Sequence, residues 1–229
     1  MQEVSVIIPN YNGVPYLETC LDALKGQTFQ GFSVILVDNG SADGSVDLVR
    51  NKYSWVKLID LPENYGFCRA VNEGIRVSET PYVILLNNDT EVFPDFVEQL
   101  LKGIKERPTA FSCASKMIQA QDRTKVDDAG NFYSAFGWAF ARGKGKDISK
   151  YGKPDRIFAA CAGAAIYRME YLNQTGLLDE EMCIRDSCKS DKKSCLKRVN
   201  LEPSGTTSKP QKSRSSWENF KNTIRSRCV

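Results

Sequence analysis

The sequence predicts an α/β protein with a mostly parallel sheet flanked by helices. Three observations carry this expectation. Short, β-branched apolar runs alternate with segments of helical spacing along the N-terminal half, the order that builds parallel sheets with crossover helices. The runs are continuously apolar, the signal of a buried strand. Most of them stop on asparagine or aspartate, and in open α/β sheets a ligand lies in the crevice outside the carboxyl ends of the strands.

Each element has its own justification. VSVIIP, from Val4 to Pro9, reads as the first strand. Leu17, Leu21 and Leu24 then recur at helical spacing, with Cys20 and Ala23 beside them. SVILVD, from Ser33 to Asp38, is a second strand, and it meets the turn cluster NGSADGS, which leads into a short helix through Val46 and Val49. Val56 to Leu61 reads as a third strand. In NYGFCRAVNEGI, the spacing of Phe67, Val71 and Ile75 predicts one helical face. PYVILLNND supplies a fourth strand, and Asp95 opens a helix carrying Phe96, Val97, Leu100, Leu101 and Ile104. From Ala110 to Ile157 the pattern is irregular, with Phe132, Tyr133, Phe136, Trp138 and Phe140 among glycines. It is expected to be a flexible segment. AACAGAAIYRMEYLNQTGLLDEE reads as a small-residue strand and a helix, with Ala162, Gly163 and Ala164 leaving room for a substrate to approach the backbone.

The strand ends define the candidate site. Asn10 and Asn12, Asp38 and Asn39, and Asn87 to Asp89 would all point into one crevice. Turn and cap chemistry is the alternative at any single position, because Asn and Asp favour those roles. LLNNDTEVF is the most distinctive case, because a greasy run there ends in three polar residues.

Composition narrows the chemistry. The 229-residue chain is 41% hydrophobic and 26% charged, as expected of a globular domain. It contains no histidine, which removes serine–histidine and cysteine–histidine catalysis together with histidine metal sites. Acid–base work falls to carboxylates, lysine, tyrosine or cysteine. No run approaches the roughly 20 apolar residues of a membrane span. The opening MQEVSVIIPNYNG has neither the basic start nor the apolar length of a signal peptide. The expected location is cytoplasmic, at the inner face of the membrane. The net charge of +3 divides unevenly, with 12 basic and 4 acidic residues from Met182 onward and a balance of −5 before it. That basic run is rich in Lys, Arg, Ser and Thr and lacks apolar periodicity. It reads as a solvated, disordered segment, not a nucleic-acid patch. Its cysteines, Cys183, Cys188, Cys195 and Cys228, form no C-x-x-C pair and do not suggest zinc.

Taken together, VSVIIPNYNG, VILVDNGSADGS, NYGFCRAVNEGI, LLNNDTEV and AGAAIYRMEYLNQTGLLDEE resemble the family 2 glycosyltransferases, in particular the rhamnosyltransferase-like bacterial branch. The resemblance runs from Val4 to about Glu181. It implies a GT-A fold, with a Rossmann-like, mostly parallel sheet. It also implies an enzyme of cell-surface polysaccharide biosynthesis that moves a sugar, with inversion, from a nucleotide-sugar donor to a glycan or lipid-linked saccharide. By the same resemblance Pro9, Asn10 and Tyr11 lie beside the nucleotide base, with Tyr11 suited to stacking. Asp38 accepts a hydrogen bond from the pyrimidine ring, and Asn64, Gly66 and Arg69 line the nucleoside. LLNNDTEV falls at the family's metal motif, where manganese or magnesium bridges the diphosphate through hard oxygen ligands. Asp89 is the metal ligand there. Asn87 stands where an acid is common, and Asn87 and Asn88 would donate to phosphate or ribose.

The resemblance stops before the residue that inversion requires. The family's general base sits in an E-D motif beyond the GLLDEE segment, and no E-D follows here, so the catalytic base is unassigned. Asp179, Glu180 and Glu181 are the nearest carboxylates and are expected to begin the turn and helix that lead to that motif. The stretch MCIRDS matches the translation of a sequencing adapter. Residues 182–229 are therefore expected to be a non-native or frame-shifted tail, and residues 1–181 a glycosyltransferase domain incomplete on its acceptor side. The alternative is a non-catalytic nucleotide-sugar-binding module with a basic interaction tail. A dehydrogenase is disfavoured because PNYNGVP replaces the G-x-G-x-x-G that would follow the first strand.

Overall fold

A computed structural model describes residues 2–136, 138–181 and 224–228, the last five as backbone alone. The N-terminal alternation forms β1 (Val4–Asn10), α1 (Val14–Lys25), β2 (Phe32–Asn39), α2 (Ser45–Lys52), β3 (Lys57–Leu61), α3 (Phe67–Arg76) and β4 (Tyr82–Leu86). A short β5 (Thr90–Val92) and α4 (Phe96–Lys105) complete it. β3, β2, β1 and β4 lie side by side and parallel. The expected α/β class, with a mostly parallel sheet between helices, is the observed one.

Period-two alternation explains the continuous apolar runs. Val6 and Ile8 of β1 pack with Leu17, Leu21, Phe96 and Leu100, under α1 and α4. Ile7, between them in sequence, packs with Val71 and Ile75 of α3 on the opposite face. A strand covered on both faces has no solvent side on which to place polar residues.

The segment after Ala110 is more regular than expected. β6 (Ser112–Ile118), β7 (Val126–Asp128), β8 (Asn131–Tyr133) and β9 (Ala139–Ala141) lie in it, followed by a 3-10 turn at Ile148–Tyr151. β6 was hidden because Ser115 and Lys116 interrupt its apolar run. Ser115 is nevertheless buried, and its hydroxyl donates to the Ala164 carbonyl at 2.7 Å. β10 (Ala164–Arg168) runs antiparallel between β4 and β6 and leads into α5 (Met169–Thr175). The expected small-residue strand and helix are therefore present. Ile224–Cys228 form β11, parallel to β5 and antiparallel to β6. MCIRDS, Cys183, Cys188, Cys195 and the rest of residues 182–223 lie outside the described residues.

Candidate functional site

The parallel register places Asn10 directly beside Asp38 at the carboxyl ends of β1 and β2. Asn10 Nδ2 donates to Asp38 Oδ1 at 2.7 Å, and the same oxygen accepts from Ser41 Oγ at 2.7 Å. Asp38 Oδ2 accepts from the Ser41 backbone N–H at 2.8 Å. Asp38 is fully buried. The family resemblance implies a pyrimidine contact for it, and in the fold it ties the turn after β2 and aligns Asn10. The next turn is clipped on as well. Asn12, at φ 51°, is the one non-glycine residue with positive φ among the described residues. Its side-chain oxygen accepts from Ala42 N–H at 2.9 Å, and its own N–H donates to Ser41 Oγ at 2.8 Å. Burial raises the Asp43 carboxyl, but hydrogen bonds from Ser45 and from the Val14 N–H outweigh this and hold it below its ordinary range.

A cleft of about 210 Å³ opens beside this hub, lined by Pro9, Asn10, Tyr11, Asn39, Asn64, Gly66 and Phe67. Five of these seven are residues expected to contact a nucleoside. Tyr11 is 50% exposed at its rim, with a ring face available for stacking. Asn39, one of the strand ends expected at the crevice, was given no specific role there. It organises the far wall, because its Nδ2 donates to Asn64 Oδ1 at 2.9 Å and its Oδ1 accepts from the Tyr65 N–H at 3.0 Å. Phe67 was expected on the packed face of α3. It lies in the first turn, remains exposed and forms part of the cleft. Arg69 is not among the lining residues and instead stacks on the Tyr65 ring, 4.0 Å from its centroid.

The charged corner adjoins the cleft through one contact, with Asn88 Nδ2 donating to Asn10 Oδ1 at 2.7 Å. Asn10 thus joins the end of β2 to the loop after β4. Asn87 is held by its own N–H, which donates to the Gly163 carbonyl at 2.9 Å. Gly163 was expected to expose backbone to a substrate. A Cβ there would come within 3.2 Å of the Asn87 amide and 3.6 Å of Cys161 Sγ. Asp89 is partly buried, and its Oδ1 is buried without a hydrogen-bond partner. Burial raises its carboxyl above the ordinary range, and the charge of Asp127 pushes it further up. Beneath it the Cys20 thiol is pushed up to about 12, first by burial and then by Asp89, so it is not a nucleophile. An orphaned carboxylate oxygen fits a hard divalent cation that completes its shell from phosphate oxygens. Among the described residues no group of three or more ligating side chains closes a site by itself.

A larger cavity, of about 910 Å³, lies by Arg107, Phe111, Ser112, Arg142, Arg156 and Tyr167. It adjoins the start of β6, and none of the expected site residues lines it. The carboxylates before Met182 are partly committed to structure. Asn72 donates to Glu180 at 2.8 Å and Arg76 does so at 3.1 Å, and these contacts, the Asn72 bond foremost, hold the Glu180 carboxyl below its ordinary range. That makes it a poor proton acceptor.

Gly13 shows how tightly the hub is built. A Cβ there would collide with both Asn10 Oδ1 and Asn88 Nδ2. Gly13→Ala is expected to break their hydrogen bond and lower stability by about 1–3 kcal/mol. Thermal unfolding checks this, and an unchanged midpoint would show that the contact can shift at no cost.

Comparison with known proteins gives the family and the fold. The sequence model described as Glycosyl transferase family 2 matches residues 5–176. The chain is 32% identical over 127 residues to the putative teichuronic acid biosynthesis glycosyltransferase TuaG of Bacillus subtilis (strain 168), covering 54% of this chain and 50% of that protein. It is 30% identical over 132 residues to the putative glycosyltransferase EpsH of the same organism, covering 55% of this chain and 37% of EpsH. The chain thus spans half or less of these curated relatives. Among solved structures, S. aureus TarS 1–349 superposes with a TM-score of 0.57 at 21% identity, over 79% of this chain and 51% of that one. The mannosyltransferase PcManGT from Pyrobaculum calidifontis, in complex with GDP-Man and Mn2+, gives 0.57 at 20% identity, over 78% and 48%. At such identities the likeness is one of fold.

Proposed function

Because the chain belongs to glycosyl transferase family 2, we propose that it carries the donor site of an inverting transferase. That enzyme moves a sugar from a nucleoside diphosphate sugar to a saccharide or lipid-linked glycan. The observation that carries this reading is the junction at Asn10. One side chain joins a nucleoside-sized cleft to a loop bearing an orphaned carboxylate oxygen. A nucleoside diphosphate likewise joins a base and sugar to a charged group that needs a cation.

The residues take distinct roles. Tyr11 and Phe67 offer aromatic surface to the base, and Asn64 and Gly66 shape the wall behind it. Asp38 acts as a positioning residue, orienting Asn10 from beneath. Asn87 and Asn88 lie where amide donors would meet phosphate or ribose. Asp89 would hold manganese or magnesium, with Asp127 adding negative potential. Such an ion, when bound, neutralises the diphosphate as it leaves. Arg69 contributes charge near the nucleoside from its place on Tyr65. The relatives' names support a cell-surface glycan as acceptor, and the ligands of PcManGT support a nucleotide sugar with Mn2+. Glu180 is assigned to the clasp with Asn72 and Arg76, leaving the general base outside this set.

Calorimetry with uridine, guanosine and thymidine diphosphates in manganese tests the donor site. One of them should bind, and Tyr11→Ala should weaken it about tenfold through lost stacking. No binding by any of the three would remove the reading. Nucleotide-sugar binding with no transfer to any acceptor would favour a non-catalytic donor-binding module.

A further inference from the structure

Residues 124–133 and 139–148 form a two-stranded ribbon. Hydrogen bonds run along it from Ile148 N–H to the Thr124 carbonyl (2.9 Å), through Arg142 N–H to Gly130 (2.7 Å), to Ser134 N–H and Trp138 (2.8 Å). Its base is β7, paired with the end of β6. β7 pairs at Met117, two residues beyond Ser115, whose hydroxyl bonds Ala164, and the adjoining Gly163 carbonyl accepts from the Asn87 N–H. The ribbon therefore leaves the sheet next to the loop that carries Asn87 to Asp89.

Its far end is aromatic and uncovered. Phe136 is 90% exposed and Trp138 68%, and Phe132, Tyr133, Phe140 and Phe158 are exposed as well. Tyr133 and Phe158 stack at 5.4 Å. Apolar residues grouped in this way mark an interaction surface. The charge behind them differs from that of the rest of the domain. Residues 131–160 hold six basic and two acidic side chains, whereas the remainder of residues 1–181 holds 13 basic and 22 acidic ones. Lys144, Lys146, Lys150 and Lys153 are all exposed.

We propose that this ribbon docks the protein on an anionic phospholipid bilayer. The aromatic tip lies at the boundary between headgroups and acyl chains, and the lysines face the anionic headgroups. A paired ribbon suits this position because its backbone groups already bond to each other. A second copy of the chain fits less well, since a symmetric contact would bring the same lysines together. The proposal rests on the transferase reading only for its purpose, which is to hold the mouth of the site at a surface carrying lipid-linked acceptors. Bilayer binding itself requires no nucleotide.

The test is co-sedimentation of the full chain with vesicles of phosphatidylglycerol and phosphatidylcholine, and with phosphatidylcholine alone. Binding should require the anionic lipid, and combined Phe136→Ser, Trp138→Ser and Phe140→Ser substitutions should weaken it on the order of tenfold. With Trp55→Phe and Trp217→Phe in place, Trp138 emission should shift to the blue on anionic vesicles. Equal binding by the triple variant, as the basic run after Met182 alone would give, overturns the proposal. Trp138 already shielded from acrylamide without vesicles, or self-association abolished by the triple variant, also overturns it. Nucleoside diphosphate binding is measured on the same preparations. A chain that binds the diphosphate but not vesicles refutes only the docking. One that binds vesicles but no diphosphate refutes only the donor site.

Discussion

Asp89→Asn is expected to abolish manganese-dependent nucleoside diphosphate binding while making the ligand-free chain more stable. The orphaned Oδ1 is the oxygen a cation would take, and a neutral amide oxygen is a far weaker ligand for a hard ion. We expect affinity in manganese to fall at least about 100-fold, to the level measured in chelator. The stability effect has the opposite sign. Burial, with Asp127 adding to it, raises the Asp89 carboxyl in the folded state. A raised folded pKa means that this group favours folding most below its unfolded value, and the advantage is lost as pH rises through the folded value. At neutral pH the buried charge is therefore a cost that Asn removes. The expected gain is about 1 kcal/mol, or roughly 2–4 °C in Tm, shrinking as pH falls toward the unfolded aspartate range. Equal manganese dependence in variant and parent would contradict the metal assignment. A destabilised variant would mean that Asp89 has a partner in the folded chain.

Asp38→Ala is expected to be the most damaging change at the hub. It strips acceptors from Asn10 Nδ2, the Ser41 N–H and the Ser41 hydroxyl at once, in a fully buried position. The cost should be about 3 kcal/mol, a Tm fall of roughly 6–12 °C. Nucleoside diphosphate affinity should fall with it, because Asn10 loses the partner that fixes its rotamer. Asp38→Asn keeps one acceptor and should lie between the two. If Asp38→Ala lost affinity at unchanged stability, Asp38 would be a direct ligand contact and not a positioning residue.

Much of this was legible beforehand, for identifiable reasons. Continuous apolar runs marked β1, β2 and β4 because both faces of each are covered. Asn10 stood out as a polar strand end, whereas Tyr11, Asn64 and Gly66 were named through the family resemblance, and all four line one cleft. The reading failed where local pattern and tertiary position diverge. Phe67 has the spacing of a packed residue, yet the first turn of α3 leaves it exposed. β6 carries polar residues satisfied by β10, so its periodicity was broken by bonds the sequence does not display. Ser41 and Gly13 looked like ordinary turn residues, with no signal of the contacts that make them part of the site.

The sequence by itself determined the α/β alternation, the order of the strands along the chain and the polar character of their ends. Those properties depend on periodicity and turn chemistry over a few neighbouring residues. Only the tertiary structure decided which polar groups meet a ligand and which meet each other. Asn10 bonds residues 28 and 78 positions away, and such pairings follow from sheet register and loop packing. Asp38 and Asp89 look alike as acids at strand ends. Register gave Asp38 the Asn10 amide and the following turn gave it two bonds from Ser41, while burial left one oxygen of Asp89 with none, and that difference separates the positioning residue from the candidate metal ligand.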